Sequence, residues 1–128
     1  MKEKGFCTIL NKTKGRLPRL PFVSIKEKIL GTDYQLGLSL LTPNQQQKIN
    51  SQYRSKNETT NILSFPLSEN SGEITIDPIK VKKDAHLFDM NYTQFFKYLF
   101  IHGCLHLKGF EHSSIMEKEE KKYLKFFS

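Results

Sequence analysis

Tryptophan is absent from this chain of 128 residues, and cysteine occurs only twice, at Cys7 and Cys104, far apart and in no CxxC pattern. That excludes a disulfide framework and leaves two free thiols, as expected of a reducing compartment. Long apolar runs are missing as well. None approaches the roughly 18 residues of a membrane span, and the basic start MKEKGFCTILNKTKGRLPRL lacks the apolar stretch of a signal peptide. The expectation is a cytoplasmic protein with no membrane partner. Acidic residues are the scarcer charge, 13 against 20 Lys and Arg, giving a formal net charge of +7. Such an excess favours phosphate-rich partners and raises nucleic acid as a candidate, although a lysine-rich proteome would leave the same balance. The densest basic stretch, KGRLPR at 14–19, reads as a solvated loop.

The chain is expected to form one domain, 1–128, long enough to bury a core. FCTILN (6–11) predicts an edge strand, and FVSIKEKIL (22–30) has the helical spacing Phe22, Ile25, Ile29, closed by Gly31. YQLGLSLLT (34–42) alternates Leu36, Leu38 and Leu40 as a strand does; Thr42 and Pro43 then read as the N-cap and first residue of a helix through Arg54. NILSFPL (61–67) predicts a strand stopped by Pro66, and GEITIDPIKV (72–81) another. The longest helix is expected to start near Thr93 and end at Gly109, apolar on nearly every side and therefore central. A last amphipathic helix follows the Ser113–Ser114 cap, with Ile115, Met116, Tyr123, Leu124, Phe126 and Phe127 available for packing. The fold class is α+β, a small, mostly four-stranded sheet covered by helices.

Three of the four histidines fall within eleven residues, in the pattern H-x-x-x-H-x-x-G-x-x-H formed by His102, His106 and His112. His102 and His106 are one helical turn apart and share a face of the central helix; Gly109 ends that helix, so the chain can double back and bring in His112. Three neutral imidazoles suit one zinc ion and leave a position for water, as catalytic sites do; nickel suits them too. Bound zinc lowers the pKa of such a water and makes hydrolysis the natural reaction. Zinc peptidases with this spacing carry a glutamate after the first histidine as general base, and here that position is Gly103. Peptide hydrolysis is therefore disfavoured. Glu111 is the nearest carboxylate that could take the proton instead, or it is simply a solvent-exposed acid. Cys104 lies on the opposite helical face and is expected in the core, as is Met116; His86 is expected at the surface.

HGCLHLKGFEH resembles the signature of the YbeY family of bacterial metal-dependent endoribonucleases, including its unusual glycine. NSQYRSKNETTNILSFPLSENSGEITI is similar to that family's upstream block, in which an N-x-x-Y-R helix end leads into a strand ending S-F-P. The resemblance covers about residues 34–127 and implies that His102, His106 and His112 bind zinc. It implies as well that Arg54 contacts the phosphate, a role for which a guanidinium fork is suited. Ser64, Phe65 and Pro66 would line the cleft. The implied activity is cleavage of single-stranded RNA in maturation of 16S ribosomal RNA and ribosome quality control. Its partners would be ribosomal RNA and the small ribosomal subunit, with no nucleotide cofactor. The alternative is a zinc-bearing RNA-binding ribosome-assembly factor without nuclease activity. Departures from the family pattern are Asn61 in place of aspartate, and Phe110 and Glu111 in place of Tyr and Asp.

Overall fold

Alternating leucines set the middle of the sheet. Leu36, Leu38 and Leu40 are buried on one face of β2 (Gln35–Leu40), which pairs in parallel with β1 (Cys7–Asn11) on one side and β4 (Ser71–Ile76) on the other. β3 (Ile62–Ser68) runs antiparallel to β4, so the strand order is β1-β2-β4-β3 with β1 and β3 at the edges. The structure, a computed structural model, describes residues 7–54, 60–111 and 113–128, and of Tyr53 and Arg54 only the backbone. Among these residues five α-helices accompany the four strands: α1 (Phe22–Leu30), α2 (Pro43–Arg54), α3 (Pro78–Asp84), α4 (Tyr92–Lys108) and α5 (Ser114–Phe126).

Local chemistry marks most helix ends. Thr42 and Gln45 exchange side-chain and backbone hydrogen bonds ahead of α2, and Asn91 and Gln94 do the same ahead of α4, each a reciprocal capping box. Two strand expectations need correction. β3 continues through Pro66 to Ser68: an edge strand has one unpaired side, and a register shift between Pro66 and Ser68 absorbs the missing N–H. β4 ends at Ile76 rather than running to residue 81, because Asp77 caps the N–H groups of Ile79 and Lys80, with Pro78 at the first position of α3. A short 3-10 turn, Ala85–Phe88, follows α3.

α4 is the hub. Phe95, Phe96, Phe100, Ile101, Cys104 and Leu105 are buried, packing with Ile74 and Ile76 of the sheet and with Ile25 and Ile29 of α1 in one core. Phe22 of α1 meets Phe100 edge to face, with ring centroids 5.0 Å apart. Cys104 is wholly buried, and loss of hydration holds its thiol pKa well above normal, in keeping with a packing role. α5 adds Met116 and Tyr123 to this core, but Ile115 and Phe126, expected to pack, are each 62% exposed because the buried stripe of α5 runs through 116, 120 and 123 instead.

Two glycines set how closely α4 can approach the sheet. A Cβ on Gly103 would come within 2.9 Å of Ile74 Cδ1 and 3.1 Å of both Ile62 Cδ1 and Ser64 Oγ. A Cβ on Gly72 would overlap the buried Tyr34 hydroxyl and lie 2.9 Å from Leu107 Cδ2. Gly72→Ala is expected to cost about 1–3 kcal/mol by overpacking, read as a lower urea midpoint at unchanged slope.

Candidate metal centre and groove

His102 and His106 lie one turn apart on α4, with rings nearly perpendicular and Nε2 atoms 3.0 Å apart. Each Nδ1 faces an acceptor: Glu120 Oε1 at 2.6 Å for His102, and the Phe110 carbonyl at 3.0 Å for His106. Both acceptors select the tautomer with the proton on Nδ1, which turns both Nε2 lone pairs toward one point. Two lone pairs at that separation repel unless a cation sits with them, either a shared proton or a metal ion. The donor set fits a divalent ion such as zinc, since imidazoles oriented through Nδ1 by a carboxylate or a carbonyl are the usual form of a ligating pair.

Two local devices build this geometry. Gly109 adopts φ 111°, its N–H bonds to the His106 carbonyl, and Phe110 N–H bonds to the Leu105 carbonyl. That is a Schellman turn. It folds the chain back so that the Phe110 carbonyl meets His106 Nδ1. The second device is Glu120, which lies on α5 between Met116 and Tyr123 and is 6% exposed. Its carboxylate also accepts a hydrogen bond from Tyr98, one turn before His102. Burial first, then the charge of Glu120 and that hydrogen bond, push the Tyr98 pKa up to about 12.

Of the expected ligands the structure brings His102 and His106 together; His112 lies outside the described residues, as does the Arg54 side chain. Among the described residues no group of three or more His, Cys, Asp or Glu side chains converges. Glu111 is exposed in the connection between α4 and α5, and His86 is exposed on the 3-10 turn. Ser64, Phe65 and Pro66 line a groove of about 970 Å³ shared with both histidines, and Ser64 Oγ donates to the Gly103 carbonyl at 3.3 Å. Asn61, at the same groove, donates from Nδ2 to Asp84 at 3.2 Å. Glu120 escaped sequence reasoning, although a signal existed: positions 116, 120 and 123 share one helical face, and a glutamate there interrupts an apolar stripe.

No helix among the described residues is long and apolar enough to cross a membrane. A sequence model of the family described as Endoribonuclease YbeY matches residues 19–128. The chain is 36% identical over 99 residues to the Endoribonuclease YbeY of Mycoplasmopsis synoviae, covering 70% of this chain and 64% of that one. It is 31% identical over 114 residues to the protein of the same name from Francisella philomiragia, covering 80% and 72%. The match to the first of these relatives thus spans somewhat under two thirds of its length. The solution structure of TM1509 from Thermotoga maritima superposes with a TM-score of 0.65 at 26% identity, over 94% of this chain and 87% of that one. On the extent of the family match, this chain is a member of the Endoribonuclease YbeY family.

Proposed function

We propose that this chain is a metal-dependent endoribonuclease that cleaves single-stranded RNA, in the maturation of 16S ribosomal RNA at the small ribosomal subunit in the cytoplasm. The observation that carries the metal is the 3.0 Å approach of two Nε2 atoms whose Nδ1 atoms are each tied to an acceptor. The relatives' printed name supports RNA as the substrate, and the net charge of +7 agrees with a polyanion. His102, His106 and His112 would hold one zinc ion, with nickel as the other candidate. Bound there, a divalent ion polarises a phosphoryl oxygen and lowers the pKa of water toward about 7.

The chain's own residues do the rest. Glu120 holds the Nδ1 proton of His102 and makes its Nε2 a better donor, while Phe110 does the same for His106 through its carbonyl. Arg54 would pair with the scissile phosphate and offset the charge that grows on its oxygens. Glu111 would accept the proton of the attacking group. Gly103, where a peptidase keeps its base, is packed against Ile74 and Ile62 and leaves no room for a carboxylate. The products report the nucleophile: a 5′-phosphate end means attack by water, and a 2′,3′-cyclic phosphate means attack by the substrate's own 2′-hydroxyl.

Three outcomes are expected. Purified parent protein should carry about one zinc per chain by mass spectrometry and cleave single-stranded RNA, whereas His106→Ala should stay folded by circular dichroism and lose both; a metal-free parent would overturn the proposal. Glu120→Gln keeps the shape but removes the charge, and should weaken zinc binding by about 10–100-fold in a chelator competition. Arg54→Ala should lose cleavage while retaining most RNA affinity. If instead the parent binds zinc and RNA but cuts nothing, the chain is an assembly factor and not a nuclease.

A further inference from the structure

Phe88 ends the 3-10 turn and is 55% exposed, with Leu87 beside it 73% exposed. Its ring is nonetheless fixed, stacking on Phe95 with centroids 4.9 Å apart and planes 20° apart. The row continues from Phe95 to Tyr98 at 6.2 Å and from Tyr98 to His102 at 6.2 Å. All four rings line the groove that holds both histidines. An aromatic row therefore runs from solvent to the histidine pair. Core packing accounts for Phe95, which is buried, but not for Phe88, whose open ring gains nothing from water.

The remaining lining suits the neutral part of a nucleotide. Apart from the histidines, Glu73 is the ionisable acid or base there among the described residues besides Tyr98; most of the surface comes from apolar and uncharged polar side chains. Cations occur close by in the chain: Lys82 and Lys83 are exposed in the last turn of α3, which feeds the 3-10 turn. Bases would enter the groove while phosphates stay in solvent. The geometry points to Phe88 as the stacking platform for an unpaired base of the RNA, a specificity-determining residue; this rests on the proposal that the chain acts on single-stranded RNA. A base inside a duplex is already stacked on both faces and cannot offer one to Phe88, so the platform selects unpaired substrate.

The test is fluorescence anisotropy with the full chain and a labelled single-stranded RNA dodecamer, alone or annealed to its complement, the RNA checked for integrity on a gel afterwards. Cleavage is assayed separately. Phe88→Ala and Phe88→Leu are expected to weaken single-strand binding about ten-fold, with Phe88→Trp close to the parent. The slope of log affinity against log salt should not change, because no charge is removed. Duplex binding should be weak and indifferent to all three. Phe88→Leu keeps an apolar cover over Phe95 and decides the matter if Phe88→Ala does not fold. Parent-like binding by a folded Phe88→Leu, or an equal loss on duplex, would overturn the platform. Cleavage with ring-independent binding removes the platform and leaves the nuclease; ring-dependent binding without cleavage does the reverse. A parent that binds neither RNA overturns both.

Discussion

The absence of a single side chain at Gly103 governs how the rest of the molecule is arranged. With no Cβ there, α4 settles against Ile62, Ser64 and Ile74, and the Ser64 hydroxyl reaches the Gly103 carbonyl. That depth turns one helix into both the hydrophobic centre and the scaffold of the histidine pair. Phe96, Phe100 and Cys104 face inward, while His102 and His106, on the same stretch of helix, open into the groove beside β3. A glutamate at position 103, which peptide hydrolysis by a zinc enzyme of this spacing requires, is incompatible with the same seat. The missing peptidase base and the close packing of α4 have one cause.

The histidines are aimed by elements that are distant from one another in kind. For His106 the partner is a main-chain carbonyl supplied by the turn at Gly109, so its orientation depends on backbone conformation and not on the identity of residue 110. This is why phenylalanine in place of the family's tyrosine leaves that contact intact. For His102 the partner is a side chain from the last helix, and Glu120 can serve only if α5 docks through Met116 and Tyr123. Folding of the C-terminal segment and organisation of the histidine pair are thus coupled.

Much of this was legible in the sequence, and for local reasons. The leucine alternation of β2, the Thr42–Pro43 helix start, the span of α1 and the glycine stop of α4 each rest on contacts within a few residues, and each stands where the pattern put it. Expectations failed where distant partners decide. Pro66 did not stop β3, because what matters is whether that side of the strand is paired, a property of the sheet. Asp77–Pro78 was a visible helix start that the surrounding β-branched residues concealed. The spacing of His102 and His106 fixed their convergence, but nothing near them in the chain announced Glu120, 18 residues beyond His102, as the group that orients His102. The exposed ring of Phe88 was equally silent, since exposure is a three-dimensional property.

Asn61 occupies a position where the family pattern has an acid, and its amide donates to the Asp84 carboxylate. Replacing the amide with a second carboxylate at 3.2 Å would set two like charges against each other at the rim of the groove. The cation at hand is Lys80, whose ammonium already lies 3.4 Å from Asp84, so an aspartate at 61 would depend on that one lysine to offset two carboxylates. A chimera that imports aspartate at 61 therefore makes Lys80 a residue it cannot lose.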